Sequence, residues 1–353
     1  MKNFFTTKNT LINIILLLVV GISAFLLITH KKTPPDNFII YFDDNEFTRQ
    51  YNKSLLKELA KIEKEAREEK SQSTSDQKYV DTNTLFYTGF DDETLFKIYS
   101  IKNNSSAKKR LTTLKLNLEY DPKLSTQRDK VLFTGFGGDK IYVIDVDGLN
   151  NKLLVDRSNG RRADAPSWAP DGKSVVFSVG KGNQATSTTF ETIDIETGLR
   201  NIFFTTDKYS SSPRISPDGK KLAYLADIDT QAKIIVSDLN GKNPKHINVN
   251  TIDGDIEGLS WSPDSKNLVY SSEVKERGEI KIINIESLEV RQLTADGKSK
   301  FSPSFSPDGK RIVFSVCVNK EYPACGAFES SISIINIDGT NEVSIATGVS
   351  PDW

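Results

Sequence analysis

The sequence predicts an all-β fold: a six-bladed β-propeller closed by its own C-terminal strand, preceded by an N-terminal transmembrane helix and a helical stalk. Three observations carry this. A proline-turn motif recurs at a nearly fixed period, each copy is flanked by short strand-like runs, and the final residues supply a strand that the first repeat lacks. The clearest copies are Ser302-Pro303-Ser304-Phe305-Ser306-Pro307-Asp308-Gly309 and Ala165-Pro166-Ser167-Trp168-Ala169-Pro170-Asp171-Gly172. Two more are Ser212-Pro213-Arg214-Ile215-Ser216-Pro217-Asp218-Gly219 and Leu259-Ser260-Trp261-Ser262-Pro263-Asp264-Ser265.

Each copy reads as a hairpin. Ser-Pro-Asp-Gly suits a type I turn, with Pro presetting φ at the second position and Gly at the fourth. Apolar runs such as Leu222-Ala223-Tyr224-Leu225 follow the turn. Ser265 replaces the glycine of one copy, which costs roughly 1 kcal/mol if that position needs positive φ. The large residue before the turn falls at Trp168, Ile215, Trp261 and Phe305, in steps of 47, 46 and 44. A step of 48 back from Trp168 reaches Tyr120, beside Asp121-Pro122-Lys123, and a step of 48 forward from Phe305 reaches Trp353. Further runs, such as Lys233 to Asp238 and Lys245-His246-Ile247, bring each unit to four short strands, the blade of a propeller. The first unit, opening at Thr84-Leu85-Phe86-Tyr87-Thr88, has no proline strand before it. Val349 to Trp353 fills that vacancy and closes the ring.

These repeats resemble the WD-like, Pro-Asp (PD-type) propeller repeat of the TolB family, over about residues 79–353. The resemblance implies an extracytoplasmic, non-enzymatic scaffold in an envelope complex, binding a protein such as a peptidoglycan-associated lipoprotein. The chain departs from that family upstream, where an anchor and stalk stand in place of a globular α/β domain and a cleaved signal. The specific partner therefore does not carry over.

Upstream, residues 1–10 form a short tail. Residues 11–29 are an apolar run of 19, nearly enough to cross a bilayer core of about 30 Å. The run ends Ile28-Thr29-His30-Lys31-Lys32, with neither small-residue cleavage site nor lipidation cysteine, so it reads as an uncleaved signal anchor. Lys2 and Lys8 on one side balance Lys31 and Lys32 on the other, so charge alone does not orient it. A linker occupies 30–45. Tyr51, Leu55, Leu59, Ile62 and Ala66 make one apolar stripe of a helical stalk over 46–70, and 71–78 is a flexible linker.

Chemistry is sparse. With 46 basic and 47 acidic residues the net charge is −1, which gives no nucleic-acid footprint. The two histidines are His30, at the membrane edge, and His246, in an outer strand. No G-x-S-x-G elbow occurs. Gly135-Phe136-Gly137-Gly138-Asp139 is a hairpin loop with no helix to receive phosphate, and Asp145-Val146-Asp147-Gly148 and Asp338-Gly339 are turns without EF-hand spacing. No catalytic residue, metal or cofactor is expected.

In an antiparallel blade the tight turns lie at one end. The variable loops and inter-blade links lie at the other, where binding residues sit. The candidates there are Arg161, Arg162, Asp164, Tyr209, Asp255, Glu257, Lys300 and Tyr322. Cys317 and Cys325, the only cysteines, flank one hairpin loop and form a candidate disulfide, which favours an oxidising compartment. The expected protein is a monomeric, membrane-anchored, non-enzymatic scaffold at the cell envelope. It binds a protein or cell-wall glycan and sits single-pass in the inner or cytoplasmic membrane, with the propeller in the periplasm or outside. The alternative is a propeller hydrolase or lyase with a carboxylate site at the channel mouth.

Overall fold

The structure is a computed structural model. It describes residues 80–90, 96–102, 105, 107–112, 119–135, 140–156, 162–180, 187–229, 231–247, 256–273, 278–317 and 330–353, all within the compact unit Gln77–Trp353. The predicted tail, anchor and stalk lie outside the described residues, among which no helix is long and apolar enough to cross a membrane.

Six four-stranded antiparallel sheets follow one another along the chain. Blade 1 holds β1 (Thr84–Phe90), β2 (Phe96–Lys102) and β3 (Lys108–Arg110). Blade 2 is β4 (Glu119–Leu124), β5 (Lys130–Gly135), β6 (Lys140–Asp145) and β7 (Lys152–Asp156). Blade 3 is β8 (Arg162–Trp168), β9 (Ser174–Gly180), β10 (Thr188–Asp194) and β11 (Arg200–Thr206). Blade 4 is β12 (Ser210–Ile215), β13 (Lys221–Ile228), β14 (Gln231–Asp238) and β15 (Lys245–Ile247). Blade 5 is β16 (Ile256–Trp261), β17 (Asn267–Glu273), β18 (Gly278–Asn284) and β19 (Val290–Gln292). Blade 6 is β20 (Lys300–Phe305), β21 (Arg311–Cys317), β22 (Ser330–Asn336) and β23 (Val343–Thr347). The last strand, β24 (Val349–Asp352), pairs with β1 and completes blade 1 in the order β24-β1-β2-β3. The predicted closure by the chain end is therefore the observed one.

The first strands of successive blades touch around the axis: β24 meets β4 and β20, β8 meets β12, and β16 meets β12 and β20. Alternation along the strands then fills the wedges between blades. Phe86, Ile98 and Leu111 pack on Val131, Phe133 and Ile144 between blades 1 and 2. Leu85, Tyr87 and Ile101 pack on Val313, Ile332 and Ile334 between blades 1 and 6, around Trp353. Burial pushes the Tyr87 hydroxyl up to about 12.

Each first strand carries the same irregularity. The register shifts at a bulge whose residue has positive φ: Asp121, Ala165, Ser212, Gly258, Ser302 and Ser350. Pro122, Pro166, Pro213, Pro303 and Pro351 follow five of these, and Leu259 the sixth. A bulge leaves a residue out of the ladder, so a proline without an N–H costs nothing there. In blade 5 a Cβ on Gly258 would meet Pro303 Cδ at 2.8 Å and Ser302 Cα at 3.0 Å, so the missing side chain makes room for blade 6.

This register corrects one assignment. Trp168, Ile215, Trp261 and Phe305 pair with Val175, Leu222, Leu268 and Ile312, and the residue of blade 2 in that place is Leu124, opposite Val131. Tyr120 is not the equivalent of Trp168. Asp121-Pro122-Lys123 belongs to the bulge, and the tight turn is Ser125-Thr126-Gln127-Arg128, closed by Arg128 N–H on Ser125 O at 2.8 Å. The step of 48 lands on Tyr120 because a proline stands at both the bulge and the turn of most repeats, as Pro213 and Pro217 do in blade 4.

The turns explain their composition. Gly172, Gly219, Ser265 and Gly309 all have positive φ, as does Arg128. In three copies the serine hydroxyl donates to the turn aspartate, at 2.6 Å for Ser216–Asp218 and 2.5 Å for Ser262–Asp264 and Ser306–Asp308. The same hydroxyl accepts an N–H from Lys221, Asn267 and Arg311. That donation holds these carboxyls below the ordinary aspartate range. Blade 3 has Ala169 in that place, and Ser174 N–H turns to Asp171 instead, at 2.9 Å. Ala169→Ser should therefore stabilise the fold by about 0.5–1 kcal/mol, read as a rise in the urea midpoint. A lower midpoint would show that the blade 3 turn cannot house the hydroxyl.

Candidate functional site: the axial tunnel and its link-end mouth

The bulge sets the residues of all six first strands into three register tiers along the axis. The tier nearest the inter-blade links is Tyr120, Asp164, Ser211, Glu257, Phe301 and Val349, placed by register alone. Next come the bulge residues themselves. The third tier, after the proline position, is Lys123, Ser167, Arg214, Ser260, Ser304 and Asp352.

Hydrogen bonds at the third tier join every neighbouring pair of blades. Asp352 accepts from Leu124 N–H in blade 2 and Ser304 Oγ in blade 6, both at 2.8 Å. Trp168 Nε1 donates to Lys123 O at 2.8 Å, and Ser167 Oγ donates to Pro213 O at 2.8 Å. Arg214 Nε donates to Leu259 O at 2.9 Å, and Phe305 N–H reaches Ser260 Oγ at 3.4 Å. The serine, arginine and aspartate of this tier were read only as parts of a repeat. Their column in the repeat, one residue after the proline, was the signal that could have found them.

Asp121 pairs with Lys123 at 2.8 Å. Arg214 also donates through Nη1 to Ala165 O at 3.0 Å and Pro213 O at 2.9 Å. Burial pulls its guanidinium below the ordinary arginine range, and the Asp121 and Asp352 carboxylates pull it back. Around the mouth, half-buried Tyr120 packs on Phe96 at 4.9 Å between ring centroids, with half-buried Phe301 in the matching place of blade 6.

Of the predicted binding residues, Arg162, Asp164 and Glu257 lie in the opening residues of strands β8 and β16, at the link end of the first strands. Tyr209, 36% exposed, immediately precedes β12, and its carbonyl accepts from Asp227 N–H. The fold thus brings these four to one end of the propeller. Arg161, Asp255 and Tyr322 lie outside the described residues. Lys300 is a correction. It was expected on an exposed loop, but it opens β20, is 0% exposed and is paired with Asp296. Its alternation partner Phe301 takes the tunnel side, which turns Lys300 into the wedge between blades 5 and 6. His246 is exposed on β15, as expected for an outer strand. Cys317, buried at the end of β21, is disulfide-bonded, and Cys325 lies outside the described residues.

Two buried polar clusters also escaped the sequence reading. Between blades 1 and 2, Lys97 Nζ contacts Glu119 Oε1 at 3.2 Å, both side chains at most 1% exposed, and Thr112 Oγ1 donates to Glu119. Between blades 5 and 6 the same three positions hold Glu279, Thr294 and Lys300, with Thr294 Oγ1 donating to Glu279 at 2.5 Å. The charges are reversed. Burial raises both glutamates above their ordinary range, against the pull of the threonine hydroxyl and the lysine. Among the described residues no group of three or more His, Cys, Asp or Glu could hold a metal ion.

Comparison with known proteins agrees with this architecture. A family model described as the TolB beta propeller domain matches residues 189–318. The Tol-Pal system protein TolB of Francisella tularensis subsp. tularensis is 27% identical over 268 residues, covering 61% of this chain and 59% of that protein. The chain thus spans about three fifths of that relative's length. The crystal structure of TolB from Acinetobacter baumannii matches with a TM-score of 0.62 at 19% identity, covering 77% of this chain and 66% of that one. An oligogalacturonate lyase in complex with manganese matches with a TM-score of 0.53 at 16% identity, covering 75% of this chain and 74% of that one. At such identities the solved structures establish the fold. The recurring Pro-Asp turns, the six four-stranded sheets and the matched family model together make this chain a TolB-like, Pro-Asp repeat β-propeller.

Proposed function

We propose that this chain is a membrane-anchored, non-enzymatic scaffold that binds a protein partner at the cell envelope through the link-end face of its propeller. The observation that carries the reading is the state of the tunnel carboxylates. Among the tunnel carboxylates whose side chains are described, Asp121 is paired with Lys123 of its own strand, and Asp352 is bonded to Leu124 N–H and Ser304 Oγ of the two neighbouring blades, so both are engaged. An acid–base pair for polysaccharide cleavage needs a proton donor and a base free to act. The likeness to the lyase is one of fold and supplies no second reading. TolB relatives named for the Tol-Pal system make an envelope protein the favoured class of partner. Residues 11–29 would anchor the chain, with the propeller outside the cytoplasm, a placement that the bonded Cys317 supports.

The test is affinity capture from solubilised envelopes with the full chain as bait. A link-end variant carrying Arg162→Glu, Asp164→Arg, Tyr209→Ala and Glu257→Lys is compared with a tight-turn variant carrying Lys220→Glu, Lys266→Glu and Lys310→Glu. The link-end variant should recover a protein partner about tenfold less well, and the tight-turn variant should be unaffected. Equal capture by the link-end variant would overturn the reading, as would polysaccharide cleavage by the purified chain.

A further inference from the structure

We propose that the axial tunnel contains a guanidinium site, formed by backbone carbonyls of three blades, which this chain fills with its own Arg214. Nothing about the link-end face is needed for this. Arg214 donates to Ala165 O in blade 3, Pro213 O in its own blade and Leu259 O in blade 5. One of these acceptors, Ala165, is itself the positive-φ bulge residue of its strand, and the other two, Pro213 and Leu259, directly follow the bulge residues Ser212 and Gly258. The bulge takes these residues out of the ladder and leaves carbonyls for another donor.

The surrounding charges suit a cation. Asp121 from blade 2 and Asp352 from blade 1 both attract Arg214, while Lys123 offsets Asp121 and Arg128 feels Asp352. Two carboxylates thus face three cations, Lys123, Arg128 and Arg214, and both carboxylates attract the Arg214 guanidinium. The remaining third-tier positions are Ser167, Ser260 and Ser304, small residues that leave space on the axis. A planar fork that donates in several directions fits convergent carbonyls, which an ammonium group cannot serve equally.

Arg214→Ala removes everything beyond Cβ and leaves a space the size of ethylguanidinium. The measurement is the thermal midpoint of the full chain at millimolar additive. Arg214→Ala should fall by on the order of 5–10 °C, and ethylguanidinium should restore at least about half of the loss in a saturable manner. Ethylammonium and ethylurea should not, and the wild-type chain, whose site is filled, should not respond. Arg214→Lys keeps the charge without the fork and should melt below wild type without rescue. If Arg214→Ala is recovered unfolded, the readout is folded yield on renaturation with each additive. Absence of ethylguanidinium rescue, equal rescue by ethylammonium, or equal stabilisation of the wild type would each overturn the assignment.

Discussion

Trp353→Ala should lower the unfolding free energy of the full chain by about 3–5 kcal/mol, the range for truncating a buried aromatic residue. Trp353 is 6% exposed although it is the last residue. Its ring packs in the wedge between blades 1 and 6, with the Arg311 guanidinium 4.5 Å from the ring centroid. Its indole N–H does something its counterparts do not. Trp168 and Trp261 donate to the first strand of the preceding blade, at Lys123 O and Arg214 O. Trp353 donates instead to Thr82 O, in the segment that leads into β1. Arg128 holds that segment from the other side, donating to Val80 O and Thr84 O at 3.2 Å and also to Asp81 O. The two ends of the propeller are thus fastened to each other at one seam.

Deleting residues 349–353 should cost more than the point substitution. It removes the pairing of Val349 and Asp352 with Thr88 and Phe86, and both hydrogen bonds of Asp352. It also exposes a sheet edge in blade 1. The measurement is the urea midpoint, with the m-value recorded to show whether the transition stays two-state. An exposed tail residue changes stability by no more than about 0.5 kcal/mol. A midpoint unchanged in Trp353→Ala would therefore mean that the ring does not close through this strand.

The second large effect concerns the reversed charge clusters. Lys97→Glu alone should cost about 3–5 kcal/mol or more, because it buries two carboxylates together at the wedge between blades 1 and 2. Glu119→Lys alone should be comparably damaging. Combined, the two substitutions recreate at blades 1 and 2 the polarity that Glu279 and Lys300 already have at blades 5 and 6. The double variant should recover most of the loss, giving a coupling energy well above the 0.5 kcal/mol within which independent sites add. Thr112 serves either polarity, since its hydroxyl both donates to the carboxylate and accepts Ile98 N–H at 3.1 Å, as Thr294 does with Ile280 N–H at 3.0 Å. Additive losses in the double variant would show that the two polarities are not interchangeable.

The sequence by itself determined the repeat, the blade and the closure. These follow from local chemistry: Ser-Pro-Asp-Gly specifies a turn wherever it occurs, and a missing first strand at one end with a spare one at the other leaves a single economical pairing. Even the strain at Ser265 was legible, because the three other Pro-Asp turns carry glycine in that column, and its φ is 61°. Tertiary structure alone decided which proline belongs to a turn and which to a bulge, since Ser212-Pro213 at the bulge and Ser216-Pro217 at the turn are the same dipeptide and differ only in what the neighbouring strand offers. It also decided the fate of the charged residues. Lys300 and Arg161 look equally suited to a loop, yet the alternation set by the bulge turns Lys300 into the wedge beside Asp296. Arg214 carries no local signal of its role, because its partners lie 45 and 49 residues away in two other blades. Pairings over that separation are fixed by ring closure, and only there does the chemistry of the tunnel come into being.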